Sequence, residues 1–314
     1  MKKNIILPFL LFCIFITCAC GSASNDGPEV TVNKESSIAD TSVADNIKNT
    51  PTEEEVVQPT TTPENLITVE EQVILDRDGV VITLKSLSDD SIWGPSLDVL
   101  VENNSERSIT VQIRNLAING VMVESIFSCD VATGKKANDE ITFMSTDLEI
   151  AGIETIRDIE FNFHVFDLET WDTIFDSEVV NITTSADPSF EQAYDDSGFV
   201  ALDNDGIKVV VKKLDSDDSF WGADIYVYIE NNGNSDVTIQ LRDVSVNGFM
   251  IEPIFSCDIL SGKKAFDTIT FMESDLTDND IENISELEFS FHIFDMDSWN
   301  TIYDSEIITV TFDQ

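Results

Sequence analysis

The stretch from Asn119 to Leu148 occurs a second time from Asn247 to Leu276, at a constant offset of 128 and with 20 identities in 30 positions. Self-similarity of this kind marks a duplicated structural unit. The fold must therefore be one that two adjacent segments of about 118 residues can each adopt. Trp93 falls on Trp221, Asn103 on Asn231, Cys129 on Cys257, His164 on His292 and Trp171 on Trp299. Upstream the offset becomes 127, because Leu84-Lys85-Ser86-Leu87 matches Val211-Lys212-Lys213-Leu214 and Asp215 is one inserted residue.

Within each copy the apolar period is two. Ile159, Phe161, Phe163 and Val165 alternate with Glu160, Asn162, His164 and Phe166, and Leu287, Phe289, Phe291 and Ile293 repeat the pattern. A side-chain period of two is that of a strand with one face buried. Further strand-like runs are Val80 to Leu87, Leu97 to Glu102, Thr110 to Leu116, Val121 to Cys129, Ile141 to Met144 and Thr173 to Ile182. Asn119-Gly120 and Asn247-Gly248 lie between two such runs and predict tight hairpins, since both residues tolerate positive φ. Short helical turns are expected only near Asp147 to Thr155 and Asp275 to Ser285. The fold class is all-β, and seven or eight strands per copy point to two tandem β-sandwiches of immunoglobulin type, although the Cys and Trp framework of true immunoglobulin domains is absent.

In each copy a Glu-Asn-Asn stretch closes an alternating strand, Glu102-Asn103-Asn104-Ser105 and Glu230-Asn231-Asn232-Gly233. A Gly-Lys-Lys turn later leads into Ile-Thr-Phe, at Gly134-Lys135-Lys136 with Ile141-Thr142-Phe143 and at Gly262-Lys263-Lys264 with Ile269-Thr270-Phe271. This pattern resembles the telokin-like extracellular domains of bacterial lipoproteins. The resemblance implies an immunoglobulin-like fold on a lipid anchor, and it carries over no catalytic residue. Gly233 in place of Ser105 departs from the pattern.

The N-terminus supports export. Lys2 and Lys3 precede an apolar run from Ile5 to Ile16, too short to span a bilayer. The following Ile16-Thr17-Cys18-Ala19-Cys20-Gly21 resembles a lipobox, with Cys20 as the lipidated residue and Thr17 where Leu is usual. From Gly21 to about Asn65 there is no aromatic residue and there are nine acids against two lysines, a composition that cannot bury enough apolar surface to fold. The expected division is thus a lipoprotein signal peptide over 1–19, the lipidated cysteine and a disordered acidic tether over 20–65, one β-sandwich domain over 66–185 and a second over 198–314, joined by a short polar linker that permits relative motion. The expected location is the cell membrane, anchored by lipid and facing the extracellular side.

Charge restricts the partners. Seventeen Lys and Arg stand against sixty Asp and Glu, a formal net charge of −43. Nucleic acid is excluded, because phosphate backbones are bound by cationic grooves. The two cysteines outside the leader, Cys129 and Cys257, sit at equivalent places and read as small buried side chains.

Candidate ligand-binding residues are His164, Phe166 and Trp171 with their counterparts His292, Phe294 and Trp299, an aromatic patch edged by a histidine that suits a sugar ring or a protein surface. The competing reading is a histidine covered by loops and hydrogen-bonded there. The acidic pairs Asp89-Asp90 and Asp217-Asp218 precede Trp-Gly or lie near it and are the candidates for Ca²⁺, but a hard cation needs six or more oxygens and no metal is expected. Asp76-Arg77-Asp78-Gly79 and Asp203-Asn204-Asp205-Gly206 read as turns. The lysine pairs Lys135-Lys136 and Lys263-Lys264 suit either a carboxylate dock or a guarded strand edge. No catalytic residue and no cofactor are expected. The reading that follows is a monomeric, lipid-anchored extracellular binding module whose partner is an envelope protein or glycan. A structural or accessory envelope lipoprotein without its own ligand is the alternative, and a carboxylate-based hydrolase ranks third.

Overall fold

The computed structural model describes residues 67–312 except 90 and 216–220. Cys20, the leader, the tether, Asp90, Asp217 and Asp218 lie outside the described residues. Among those described, 57% are strand and 5% helix, so the chain is all-β.

The first repeat opens with β1 (Gln72–Arg77), β2 (Val80–Ser88), β3 (Ser96–Asn103) and β4 (Ile109–Ile118). Three short pieces follow, β5 (Val121–Met122), β6 (Ser125–Ile126) and β7 (Ser128–Val131). Then come β8 (Lys136–Phe143), the helix α1 (Ser145–Ile150), β9 (Asp158–Asp167), β10 (Thr173–Asp176) and β11 (Val180–Thr183). The second repeat runs through β12 (Phe199–Asn204), β13 (Ile207–Asp215), β14 (Gly222–Asn231), β15 (Val237–Val246) and β16 (Phe249–Met250). It continues with β17 (Ser256–Ile259), β18 (Lys263–Met272), the helix α2 (Glu273–Asp278), β19 (Glu286–Asp295), β20 (Thr301–Asp304) and β21 (Ile308–Thr311).

Three sheets result. One has five strands in the order β1-β2-β3-β8-β6. A ten-stranded sheet runs β10-β9-β4-β5-β18-β14-β13-β12, with β11 beside β9 and β7 beside β4, and a six-stranded sheet holds β16-β15-β19-β20 with β17 and β21. Two buried apolar clusters lie between the layers. The first joins Ile82, Leu84 and Val99 of the five-stranded sheet to Val111, Phe161 and Phe163 of β4 and β9; the second repeats this with Val209, Val227, Ile239, Phe289 and Phe291.

Sequence alternation anticipates most of these strands, although β1 and β12 fall outside the expected runs and Thr173 to Ile182 divides into β10 and β11. Val121 to Cys129 reads as a single strand but breaks into three, because the chain changes layers: β5 and β7 pair with β4, whereas β6 pairs with β8. Alternation reports that every second side chain is buried without saying in which sheet. The four predicted turns are two-residue hairpins with both central φ values positive, as at Asn119 (51°) and Gly120 (84°), which matches the twist of the flanking strands.

The repeated asparagine has a structural duty. Asn103 is fully buried, and its amide donates to the carbonyls of Arg107 (2.7 Å) and Val131 (2.8 Å) while its Oδ1 accepts from the Ser105 N–H (3.0 Å). Asn231 makes the same three bonds to Ser235, Ile259 and Gly233. The Ser105 hydroxyl adds a bond to Asn103 Oδ1 at 2.6 Å, but the backbone N–H bond is common to both repeats, so glycine can serve at position 233. The glycine after each tryptophan is required by close approach. A Cβ on Gly94 would lie 2.1 Å from the Phe143 carbonyl oxygen, and one on Gly222 would lie 2.3 Å from that of Phe271.

The repeats are joined by main chain. β5 runs parallel to β18, with Val121 opposite Lys264 and Met122 opposite Ala265, and the Lys264 N–H donates to the Gly120 carbonyl at 3.0 Å. Lys263 meets Glu160 at 2.6 Å. The segment expected to act as a mobile linker is pinned along its length. Arg157 donates to the Phe190 carbonyl (2.9 Å), Gln192 accepts from Asn119 (3.1 Å), and the Tyr194 hydroxyl donates to the Asn119 carbonyl (2.5 Å).

Replacing Asn103 by Ala removes its bonds to the buried Val131 carbonyl, the Arg107 carbonyl and the Ser105 N–H, and we expect a loss of about 2–4 kcal/mol. Asn231→Ala should cost a similar amount. Urea denaturation of each variant measures both.

Candidate functional site

At the end of β9 the inside-outside alternation fails. Phe163 and Val165 are buried in the core, yet His164 and Phe166, on the opposite face, are buried as well. Their cover comes from beyond the strand. β10 lies beside β9 with Asp176 opposite His164, and Nδ1 of His164 stands 2.6 Å from Asp176 Oδ1, a spacing at which the ring N–H donates to the carboxylate. The ring of Phe166 tilts against His164 at a centroid distance of 5.4 Å and stacks on Trp171 at 5.6 Å, with 20° between the latter planes. The second repeat reproduces the geometry. His292 is 2.6 Å from Asp304, 5.3 Å from the Phe294 ring, and Phe294 is 5.6 Å from Trp299 at 18°.

The structure thus brings all six sequence-derived candidates together as two ladders of three rings. It also refines the expected patch, because Phe166 and Phe294 are buried and only the indoles face solvent, Trp171 at 63% and Trp299 at 75% exposure.

Each indole is held out by a tight loop. In the first repeat Asp167 Oδ1 accepts from the N–H groups of Glu169 (2.9 Å) and Thr170 (3.1 Å), and the Trp171 N–H donates back to the Asp167 carbonyl at 2.9 Å. In the second, Asp295 accepts from the Ser298 N–H at 2.8 Å and the Trp299 N–H donates to the Asp295 carbonyl at 2.9 Å. The backbone donors hold both carboxyls below the usual carboxylate range. The loop places Trp171 at φ 65° and Trp299 at φ 60°, the left-handed region where a side chain costs about 1–2 kcal/mol and glycine is free. Two exposed tryptophans thus stand where a turn alone would favour glycine.

Sequence reasoning missed the residues behind the ladder. Asp176 also lies 4.0 Å from Arg114, and Asp304 lies 3.7 Å from Arg242. The Thr110 hydroxyl, opposite Phe166, donates to Asp130 at 2.6 Å, as Thr238 does to Asp258 at 2.5 Å. Each is identical at its counterpart position 128 residues away, a signal that comparison of the two repeats provides.

A second feature lies at the joint. A cleft of about 250 Å³ is lined by Arg114, Glu124, Asp147, Cys257, Asp258 and Asp267. Burial pushes the Asp267 carboxyl up to about 6, against the opposing effect of the Thr268 N–H and the Cys257 thiol that donate to it. Burial and the neighbouring Asp147 also raise Glu124. Cys129 and Cys257 are buried and unbridged. Burial and an aspartate at hydrogen-bond range, Asp139 or Asp267, push both thiols up, Cys129 to about 12, which suppresses the nucleophilic thiolate.

Of the acidic loop pairs, Asp89 is exposed at the end of β2, and the other three residues are outside the described part. No group of three or more His, Cys, Asp or Glu suited to a metal occurs among the described residues. Lys263, read from sequence as a carboxylate dock or an edge guard, binds Glu160 of the first repeat. No protein-family model matches the chain, and no curated protein matches it.

Two expectations follow. Trp171→Gly should stay within about 1 kcal/mol of the parent, because relief at φ 65° offsets the lost stacking, whereas Trp171→Ala should be less stable than Trp171→Gly by about 1 kcal/mol; chemical denaturation of the pair decides. For Asp267, the raised folded-state pKa means that its contribution is fully present below the unfolded pKa and is lost as pH climbs through about 6. Asp267→Asn should accordingly be more stable than the parent at pH 8, by on the order of 2 kcal/mol, with the advantage fading toward pH 4. Melting curves across that range test the sign.

Proposed function

We propose that the protein is a lipid-anchored extracellular binding module in which two tandem immunoglobulin-like domains of the telokin-like class each present one tryptophan to an envelope protein or glycan. The observation that carries this reading is the exposed indole of Trp171 and of Trp299, each kept in left-handed backbone over a buried phenylalanine. Backbone cost retained at one exposed residue and repeated in a second copy points to use of that side chain. A flat indole stacks on the apolar face of a sugar ring or fills a pocket on a protein surface, and its rigidity loses little entropy on binding. The pairing of each buried histidine with an exposed aspartate, His164 with Asp176 and His292 with Asp304, fixes the ladder from behind. The imidazole is covered by Phe166 in one repeat and Phe294 in the other, which favours a positioning role over proton transfer.

The lipobox-like run ending at Cys20 and the acidic, aromatic-free stretch after it support the anchor and tether. The high negative charge keeps the domains off an anionic surface.

Residues 21–314, passed over immobilised protein and glycan fractions of a bacterial envelope, should retain a ligand. Trp171→Ala or Trp299→Ala should each weaken retention about tenfold, a loss of about 1.4 kcal/mol, and the double variant should abolish it. Retention unchanged in the double variant would refute the assignment. In cells, Cys20→Ala should move the protein from the membrane pellet to the medium.

A further inference from the structure

The joint between the repeats uses two different surfaces. The first repeat supplies a hairpin tip, Asn119–Gly120 with β5, and the second supplies the open side of β18 at Lys264 and Ala265. Because the repeats share their sequence pattern, each surface has a counterpart left over. The spare tip is Asn247–Gly248 with β16, where Phe249 is 48% exposed and Met250 is 70% exposed. The corresponding Val121 is fully buried, and Met122 packs against the second repeat's core. The spare edge belongs to β8. On that side of β8, strand pairing among the described residues is confined to Thr142 and Phe143, which meet β6, and Lys135, Lys136 and Asn138 are exposed.

We propose that the second repeat's tip docks on the β8 edge of another copy of this chain, repeating the internal joint between molecules and producing open head-to-tail assemblies. The partner is specified by the joint itself. Lys136 and Ala137 occupy the places of Lys264 and Ala265, so a parallel pair with Phe249 and Met250 has the same two-residue register. Glu288 occupies the place of Glu160 and Lys135 that of Lys263, so the ion pair across the joint has both charges available. A contact between unlike surfaces with no rotation that closes it extends into a chain instead of a symmetric dimer. One difference makes the intermolecular contact weaker than the internal one: the polar Asn138 stands where Phe266 does. Mutual repulsion opposes association as well, so added salt should strengthen it.

The test uses residues 21–314, which retain the whole described unit. Sedimentation at about 0.15 M and 0.5 M salt should show a weight-average mass that climbs past twice the monomer between about 1 and 100 µM protein. A tip variant, Phe249→Lys with Met250→Lys, and an edge variant, Lys135→Glu with Lys136→Glu, should each remain monomeric. Their equimolar mixture should form a one-to-one dimer and nothing longer, because one intact tip and one intact edge remain. Circular dichroism of each variant establishes that it is folded. A parent that stays monomeric through this range, or a mixture that fails to pair while the parent associates, overturns the proposal. So does a symmetric dimer that both variants still form.

Discussion

The second half of β9, and of its counterpart β19, is buried on both faces, and this double burial organises the rest of the molecule. Inward, Phe161 and Phe163 meet edge to face at 5.2 Å and Phe289 and Phe291 at 5.0 Å, filling the space between the layers. Outward, His164 with Phe166 and His292 with Phe294 carry the stacked tryptophans. A strand that must hide both faces needs a neighbour on each side and cover on each surface. The neighbours are β4 on one side and the β10 and β11 pieces on the other. Scaffold and candidate site are therefore one construction, and a change in the register of β9 would dismantle both together.

How much of this could be read from the chain depends on whether the determining contact is local. Period two exposed the long strands and the Asn-Gly turns, because alternation and positive φ are properties of neighbouring residues. β1 and β12 escaped notice. They are edge strands with a register shift, at Val73/Leu75 and Val200/Leu202, so their side chains do not alternate cleanly between buried and exposed. The stack residues were legible as types but not as a ladder, since the cover over His164 arrives from Asp176, twelve residues on. The internal repeat held more information than either copy alone: identity of Arg114 with Arg242 and of Asp176 with Asp304 marks the support behind the rings. The joint left no local trace, because the pairing of Val121 with Lys264 is a long-range accident of where two edges come to rest.

The joint also separates the repeats physically. Asp267 and its counterpart Asp139 are both partly buried, but Asp267 lines the acidic cleft between the repeats and Asp139 lies on the open edge of β8. One ancestral sequence pattern thus occupies two environments, and like charges brought together by tandem placement are tolerated at one of them. The paired lysines show the same divergence. Lys263 is committed to Glu160 inside the molecule, whereas Lys135 remains at the surface.

The two aromatic ladders agree to within a tenth of an ångström in ring spacing, 5.4 and 5.3 Å at one step and 5.6 Å at both others, and both belong to one compact body. Duplicated contacts on a single scaffold behave differently from the same contacts on separate molecules. Once one indole is engaged, the other searches at a high effective concentration instead of from bulk solution, so a feeble individual contact yields useful avidity, but only toward a target that offers repeated epitopes at compatible spacing. Duplication thereby selects for polymeric or clustered targets over small free ones, without any new side chain being required.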